Sequence, residues 1–255
     1  MDLNLSNKVV MITGASRGIG KAMAKGFAAE GARLSICGRT LQTLEVTAAE
    51  IRKMDAEVFA RPADVTKGED AEVFVKSTLD QYGRIDVLVN NVGGSRKTPT
   101  LEISDREWHE LLDLNAISAA RMSRLVIPAM KKQGGVIIMI SSIFGREAGG
   151  HITYNAGKAA EIALAKSLAQ ELARDNIRVN SVAPGSILFP GGGWDRKLKA
   201  DPEGIAAFIK SDLPFGRFGT PEEIADVVVF LASERANWVS GACINVDGCQ
   251  SRSNI

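Results

Sequence analysis

Apolar runs of strand length alternate with longer segments of helical period from one end of this chain to the other, and that alternation leaves few folds open. The short runs fall at residues 9–13, 33–37, 57–61, 87–90, 136–140, 178–182 and 242–246. Most are rich in Val and Ile and lack a polar face, the pattern of strands buried on both sides in a parallel sheet covered by helices. Between them, residues 20–30, 41–54, 71–81, 105–132 and 155–174 space their apolar side chains as amphipathic helices do. Alternation sustained over 255 residues predicts a single α/β domain spanning 1–255, a doubly wound parallel sheet of about seven strands with helices on both faces and right-handed crossovers.

Two helix starts are legible. Ser104-Asp-Arg-Glu107 and Thr220-Pro-Glu-Glu223 both match a reciprocal capping box, the second with Pro at the first helical position. The alternation lapses between residues 185 and 218, which hold Pro190, Gly191-Gly192-Gly193, Pro202 and Pro214, with short helical pieces around 195–199 and 202–210. So long a late insertion reads as a functional loop, a substrate lid over about 186–213.

Charge and composition exclude several partners. Thirty-one Lys and Arg balance thirty Asp and Glu, with no run of one sign, so the electrostatic footprint of a nucleic-acid binder is missing. The longest apolar stretch, residues 227–232, is far too short for a membrane span, so no membrane partner is expected. Cys37, Cys243 and Cys249 have no metal-ligand spacing, and His109 and His151 are the only histidines. No metal site is expected, and free thiols fit a reducing compartment. With no charged-then-apolar leader at the start, the expected location is cytoplasmic.

The chemistry begins at Val9-Val-Met-Ile-Thr-Gly14-Ala-Ser16-Arg17-Gly18-Ile19-Gly20, a strand running through glycines into a helix. Small residues let the backbone turn tightly, and a helix N-terminus directs unpaired N–H groups and a positive dipole end at phosphate. The spacing is G-x-x-x-G-x-G, and its place at the first strand and helix makes it a dinucleotide cradle in a Rossmann-like sheet. A carboxylate that would hold a ribose 2′-hydroxyl is missing at the end of the second strand, where Gly38 stands, followed by Arg39. Arg17 and Arg39 with no acid suit a 2′-phosphate, which favours NADP(H) over NAD(H). The alternative is two solvated surface arginines.

Tyr154-Asn-Ala-Gly-Lys158 opens a helix, and its i,i+4 spacing sets phenol and ammonium on one face. A phenol titrates near pH 10 in water, and a neighbouring cation favours the phenolate and makes tyrosine a workable acid–base group. The chain has two tyrosines, and this one follows a Ser-Ser pair ending a strand.

Taken together, Thr13-Gly-Ala-Ser-Arg-Gly-Ile-Gly20, Ala63-Asp64-Val65, Asn90-Asn91-Val92-Gly93, Asn115, Ser141-Ser142-Ile-Phe-Gly145, Tyr154-x-x-x-Lys158 and Pro184-Gly185 resemble, in order, the motifs of the short-chain dehydrogenase/reductase family in its branch of about 250 residues. The resemblance spans nearly the whole chain and includes 3-oxoacyl-acyl-carrier-protein reductase-like oxidoreductases. It implies that Tyr154 exchanges a proton with the substrate oxygen, that Lys158 holds the nicotinamide ribose and favours the phenolate, and that Ser142 hydrogen-bonds the substrate oxygen. It gives Asn115 a helix kink and a water passing protons outward from Lys158. Asp64 and Val65 would lie against the adenine, Asn91 and Gly93 near the adenosine-side ribose and phosphates, and Ile187, after Pro184 and Gly185, near the nicotinamide. For Asn91 and Asn115 there is a second reading, that they simply satisfy buried backbone groups.

Two departures stand out. The family commonly sets its serine thirteen residues before the tyrosine, which selects Ser141, whereas Ser-x-x-Gly selects Ser142, twelve before. Neighbouring side chains at a strand end face opposite ways, so one serves, and Ser142 is the expected one. Phe189 stands where the family often has a Thr contacting the nicotinamide carboxamide, and would line the substrate pocket instead.

The pocket walls are expected from residues 94–96, Ile143 and Phe144, the loop 149–151 and the lid. His151 either touches substrate or is an exposed loop residue; Trp194 and Phe208 either close over a ligand with Phe189 or pack the lid helices together. The expected function is hydride transfer between NADP(H) and a small carbonyl or secondary alcohol. The alternatives are reduction of a 3-oxoacyl thioester on acyl carrier protein or coenzyme A, and a non-catalytic nucleotide sensor. Carrier-docking positions fall on Gln133 and Asp175, beside Lys131, Lys132 and Arg174, which ranks carrier substrates lower. The resemblance also implies a homodimer or homotetramer, paired across the helices 105–132 and 155–174.

Overall fold

A computed structural model describes residues 2–254. Seven strands form one sheet: β1 (Val9–Ile12), β2 (Arg33–Gly38), β3 (Val58–Pro62), β4 (Val87–Asn90), β5 (Gly135–Ile140), β6 (Ile177–Pro184) and β7 (Cys243–Val246). All neighbours pair in parallel, in the order β3-β2-β1-β4-β5-β6-β7. The chain winds outward from β1 to β3, then returns to β4 on the other side of β1. That reversal opens a crevice at the carboxyl ends of β1 and β4, where ligands bind in open α/β sheets.

Alternate side chains of each strand feed two cores. Val10 and Ile12 point with β2, β4 and β5 residues into a layer made by α1 (Gly18–Ala29), α2 (Leu41–Arg52) and α9 (Pro221–Ala232). Met11, Leu88, Ile137 and Val179 point the other way, into α3 (Gly68–Tyr82), α5 (Ser118–Met130) and α6 (Ile152–Leu172). The uniformly apolar strands of the sequence are thus explained, because neither face of the central sheet meets water.

The helix starts differ from expectation at one place. Thr220 and Glu223 form the full capping box, Thr220 Oγ1 accepting from Glu223 N at 3.3 Å and Glu223 Oε2 from Thr220 N at 2.8 Å. At α4 (Asp105–Leu112), Ser104 Oγ accepts from Glu107 N at 3.2 Å, but the Glu107 carboxylate turns to the Thr98 hydroxyl at 3.0 Å, so the box is only half formed. The expected helix over 105–132 is broken as well. A π turn, Asp113–Ile117, separates α4 from α5, and the amide of Asn115 within it donates to the Leu111 carbonyl at 2.9 Å and to the Gly94 carbonyl at 2.8 Å. A side chain that reaches across to another loop from the middle of a helix widens the turn around it.

The late excursion carries α7 (Gly193–Ala200) and α8 (Pro202–Asp212). It closes where Ile187 bridges Gly219, so its base lies five to six residues beyond the expected end at 213. Trp194 stacks on Phe208 at 4.6 Å between ring centroids and meets Phe218 at 5.0 Å, around Ile205 and Leu213. This cluster is separate from both sheet cores, so the excursion holds its own shape. Among the described residues no helix is long and apolar enough to cross a membrane, and no three His, Cys, Asp or Glu side chains cluster as metal ligands.

Candidate active site

A cleft of about 820 Å³ runs across the carboxyl edge of the sheet, from the glycine loop and Arg39 at one end to Ser142, Tyr154 and Trp194 at the other. Of the sequence-predicted residues, it is lined by Gly14, Ser16, Arg17, Ile19, Gly20, Arg39, Asp64, Val65, Asn91, Gly93, Ser142, Tyr154, Lys158, Pro184, Gly185 and Ile187. Asn115 and Gly18 are not in the wall. Asn115 is buried behind it. Gly18 is covered by the Phe189 ring, which lies 2.7 Å from where a side chain at Gly18 would begin.

The nucleotide end is built mostly from backbone. Neither Arg17, at the N-terminus of α1, nor Thr40, at that of α2, caps its helix with a side chain, so first-turn N–H groups remain available to an anion. A Cβ at Gly20 would collide with the Gly14 carbonyl, which is why the loop can fold back on the helix only with glycine there. Asn91 holds the loop from the far side, its amide donating to the Thr13 and Gly14 carbonyls at 3.1 Å each. This is the backbone-satisfying reading of Asn91. Asp64 accepts from Thr66 N at 3.1 Å and from its hydroxyl at 2.7 Å, which fixes the turn after β3 beside the cleft.

Gly38 replaces the ribose-binding carboxylate, and a Cβ there would collide with Ser16 Oγ. Ser16 Oγ is buried and has no hydrogen-bond partner among the described residues. A hydroxyl left unsatisfied beside Arg39 and a glycine-made gap fits a cofactor that brings its own acceptor, as the 2′-phosphate of NADP(H) would. Arg17 donates to the Gly191 carbonyl at 2.8 Å, tying the glycine loop to the late excursion. Cys37, beneath this end, has its thiol pushed up to about 12 by burial, so it is inert.

At the other end side chains do the work. The two serines that follow β5 part company: Ser141 Oγ donates to the Lys158 carbonyl at 2.8 Å, whereas Ser142 Oγ accepts from Phe144 N at 3.2 Å and keeps its own proton free to donate. Tyr154 and Lys158 stand on the first turns of α6, with Lys158 Nζ 5.9 Å from the Tyr154 ring centroid. Nζ donates to the Ile140 carbonyl at 2.8 Å and to Glu161 at 2.7 Å, leaving one of its three donors for the cleft. Asn115 Oδ1 accepts from Gly94 N at 2.9 Å, so this one side chain satisfies both the N–H and the carbonyl of Gly94.

The pocket walls need correcting. Gly94 and Ser95 line the cleft, but Arg96, Ile143, Phe144, Gly149, Gly150 and His151 do not. Residues Ile143–Gly145 form a 3-10 turn, and Phe144 packs back onto Gly149 and Gly150 instead of facing a ligand. His151 is exposed at the start of α6. Phe208 packs the excursion, while Trp194 both packs it and reaches the cleft. Leu114 and Glu161 were missed; only Glu161 had a sequence signal, an acid three residues past Lys158 on the apolar face of a helix.

Fold and cleft together define an oxidoreductase built on a dinucleotide-binding sheet, and the comparisons agree. A family model described as enoyl-(acyl carrier protein) reductase matches residues 14–249. A 3-oxoacyl-[acyl-carrier-protein] reductase of Thermotoga maritima is 38% identical over 248 residues, covering 96% of this chain and 98% of the relative. A 3alpha-hydroxysteroid dehydrogenase of Mediterraneibacter gnavus is 34% identical over 254 residues, covering 97% and 98%. The solved L-sorbose reductase of Gluconobacter frateurii, complexed with NADPH and L-sorbose, superposes with a TM-score of 0.94 at 34% identity, covering 99% of this chain and all of that one. The chain belongs to the short-chain dehydrogenase/reductase family.

Proposed function

We propose that this protein is an NADP(H)-dependent oxidoreductase that interconverts a small carbonyl compound and its secondary alcohol, with Tyr154 as the acid–base group. The observation that carries the reading is the single cleft that joins Arg17, Arg39 and the unpartnered Ser16 hydroxyl to Ser142 and Tyr154. The L-sorbose reductase complex, which holds NADPH, supports the cofactor, and its substrate supports a small polar carbonyl.

Bound NADPH would supply the hydride. Arg39, Arg17 and Ser16 would hold the 2′-phosphate, the first turn of α1 the pyrophosphate, and Asp64 and Val65 the adenine side. Gly93, Asn91, Pro184, Gly185 and Ile187 would shape the path to the reacting end. There the Ser142 hydroxyl donates to the substrate oxygen as negative charge develops on it. The Tyr154 hydroxyl gives its proton to that oxygen as the carbonyl carbon is reduced, and the phenolate left behind is stabilised by the Lys158 ammonium. Lys158 also offers its remaining donor to the nicotinamide ribose. Asn115 keeps the π turn and Gly94 in place, where a water could carry protons outward from Lys158. The excursion over 186–213, with Trp194 and Phe189 facing the cleft, acts as a lid that excludes water.

A 3-oxoacyl thioester is the second reading, favoured by the Thermotoga maritima relative. Against it, Lys131 is bridged to Asp175 at 3.0 Å, so one of the three basic residues beside the carrier-docking positions is already paired within the protein. The three cysteines are free, in keeping with a cytoplasmic enzyme. Ile117, in the π turn, and Ile152, at the start of α6, are 49% and 46% exposed, which supports a homodimer or homotetramer paired across these helices. Sizing of the purified protein then gives a multiple of 27.2 kDa; a monomer alone refutes it.

The test is a screen of small ketoses, ketones and 3-oxoacyl thioesters for NADPH oxidation, followed by Tyr154→Phe. The variant should bind NADPH as the wild type does and turn over about a thousandfold more slowly. Equal turnover would refute the assignment.

A further inference from the structure

The deepest charged pair among the described residues is only half explained by the reaction outlined above, which uses Lys158 and leaves Glu161 without a role. Lys158 is 2% exposed and Glu161 0%, with Nζ 2.7 Å from Glu161 Oε2. The second carboxyl oxygen, Oε1, is buried with no partner among the described residues. The rest of the buried face of α6 is small or apolar: Thr153, Gly157, Ala165, Ala169 and Leu172. An acid costs stability at such a position unless it has a partner to serve.

We propose that Glu161 is a positioning residue for the oxidoreductase chemistry, whose carboxyl clamps the Lys158 ammonium against the Ile140 carbonyl and whose ionisation sets how much net positive charge Lys158 presents to Tyr154 and to a bound dinucleotide. The inference rests on the function proposed above. With two donors of Nζ held by Glu161 and Ile140, the third is left for the cleft. When Glu161 is ionised it cancels much of the Lys158 charge; when it is protonated the ammonium acts on the cleft at full strength. Burial pushes the Glu161 carboxyl up to about 7, against the pull of Lys158, so the change of state falls near neutral pH.

Other charges packed around α6 are engaged elsewhere. On α4 and the π turn, Glu110 is paired with Arg96 and Arg106, Asp113 with Arg121, and Glu107 accepts from Thr98, while Asp105 and His109 are exposed. On β6, Arg178 donates to carbonyls at the end of α9, such as Leu231 at 2.7 Å. After β5, Arg146 donates to the Cys243 carbonyl and Glu147 accepts from Ser251. At the end of α6, Asp175 is bridged to Lys131 and Arg174 is exposed. Tyr154 also stands beside Lys158 Nζ, its ring centroid 5.9 Å away.

The experiment compares wild type, Glu161→Gln and Glu161→Asp by two readouts between pH 5 and 8.5: melting temperature without ligand, and NADPH affinity from nicotinamide fluorescence. An acid that holds its proton more tightly folded than unfolded loses native stability as pH rises from about 4.3 towards 7. The melting temperature of the Gln variant relative to wild type should therefore rise by about 5 °C across that window. The ratio of wild-type to Gln-variant Kd for NADPH should climb from about one at pH 5.5 to about fivefold at pH 8.5, as only the wild type loses net charge at Lys158. Titration of the 2′-phosphate is common to both and cancels. Glu161→Asp keeps the carboxyl and should keep both steps, which covers a Gln variant that does not fold.

A pH-independent difference in melting temperature overturns the titration. A stability step without an affinity step makes the pair merely structural and overturns the positioning role. A wild type that binds neither NADPH nor NADH removes the oxidoreductase reading and the role with it, whereas binding with no step removes only the role.

Discussion

The two ends of the cleft are made from different materials. At the nucleotide end, binding is offered by main-chain N–H groups, two uncapped helix starts and side chains that are absent: glycine at 20 because the loop comes so close, and glycine at 38 where a carboxylate would otherwise stand. At the reacting end the functional groups are side chains held from behind by other buried side chains. Lys158 is clamped by Glu161, Gly94 by Asn115, and the start of α6 by Ser141. Backbone sites are robust because few single substitutions remove a peptide group. Side-chain sites can be broken at one atom, so substitutions there should separate turnover from folding more cleanly.

The adjacent serines sharpen that contrast most. Ser142→Ala removes a free hydroxyl donor from the Tyr154 end of the cleft and should lower kcat about a hundredfold, with little change in melting temperature. Ser141→Ala removes a buried bond to the Lys158 carbonyl and should cost about 1 kcal/mol, or roughly 2–4 °C, with a smaller loss of kcat. Steady-state kinetics beside thermal melts check both. If Ser141→Ala is the variant that loses kcat, the assignment of the two serines is reversed. The lid should give the smallest effect. Phe208→Ala takes away the ring stacked on Trp194 at 4.6 Å and should raise KM a few-fold with kcat nearly constant. A large fall in kcat instead would place the Trp194 face in the chemistry itself.

The same contrast decides what could be read in advance. All seven strands were legible to within two residues at each end, because a sheet buried on both faces forces continuous Val- and Ile-rich runs. The glycine loop was legible because a tight turn into a helix restricts residue type more than almost any other local structure. The reacting end was harder. Tyr154 and Lys158 show as an i,i+4 pair, but what holds them comes from distant segments: the Ile140 carbonyl on β5 and Asn115 on a π turn. No local pattern announces that turn, since residues 105–132 read as one amphipathic helix and the break comes from Asn115 bonding to a loop twenty-one residues earlier. Phe144 was misplaced for a related reason. A 3-10 turn of three residues after β5 is enough to swing its ring away from the cleft and onto Gly149. Glu161 was visible only as an anomaly, an acid on an apolar helix face, whose meaning depends on the ion pair that the fold supplies.

The most direct measurement is a titration of the purified protein with NADPH and then NADH, followed by nicotinamide fluorescence, and repeated with Arg39→Asp. The account predicts tighter binding of NADPH than NADH by the wild type. It predicts a loss of NADPH affinity of roughly 10- to 100-fold on the substitution, with NADH gaining, because a carboxylate repels a 2′-phosphate and accepts from a 2′-hydroxyl. Wild-type preference for NADH, or indifference of NADPH affinity to Arg39→Asp, would contradict it.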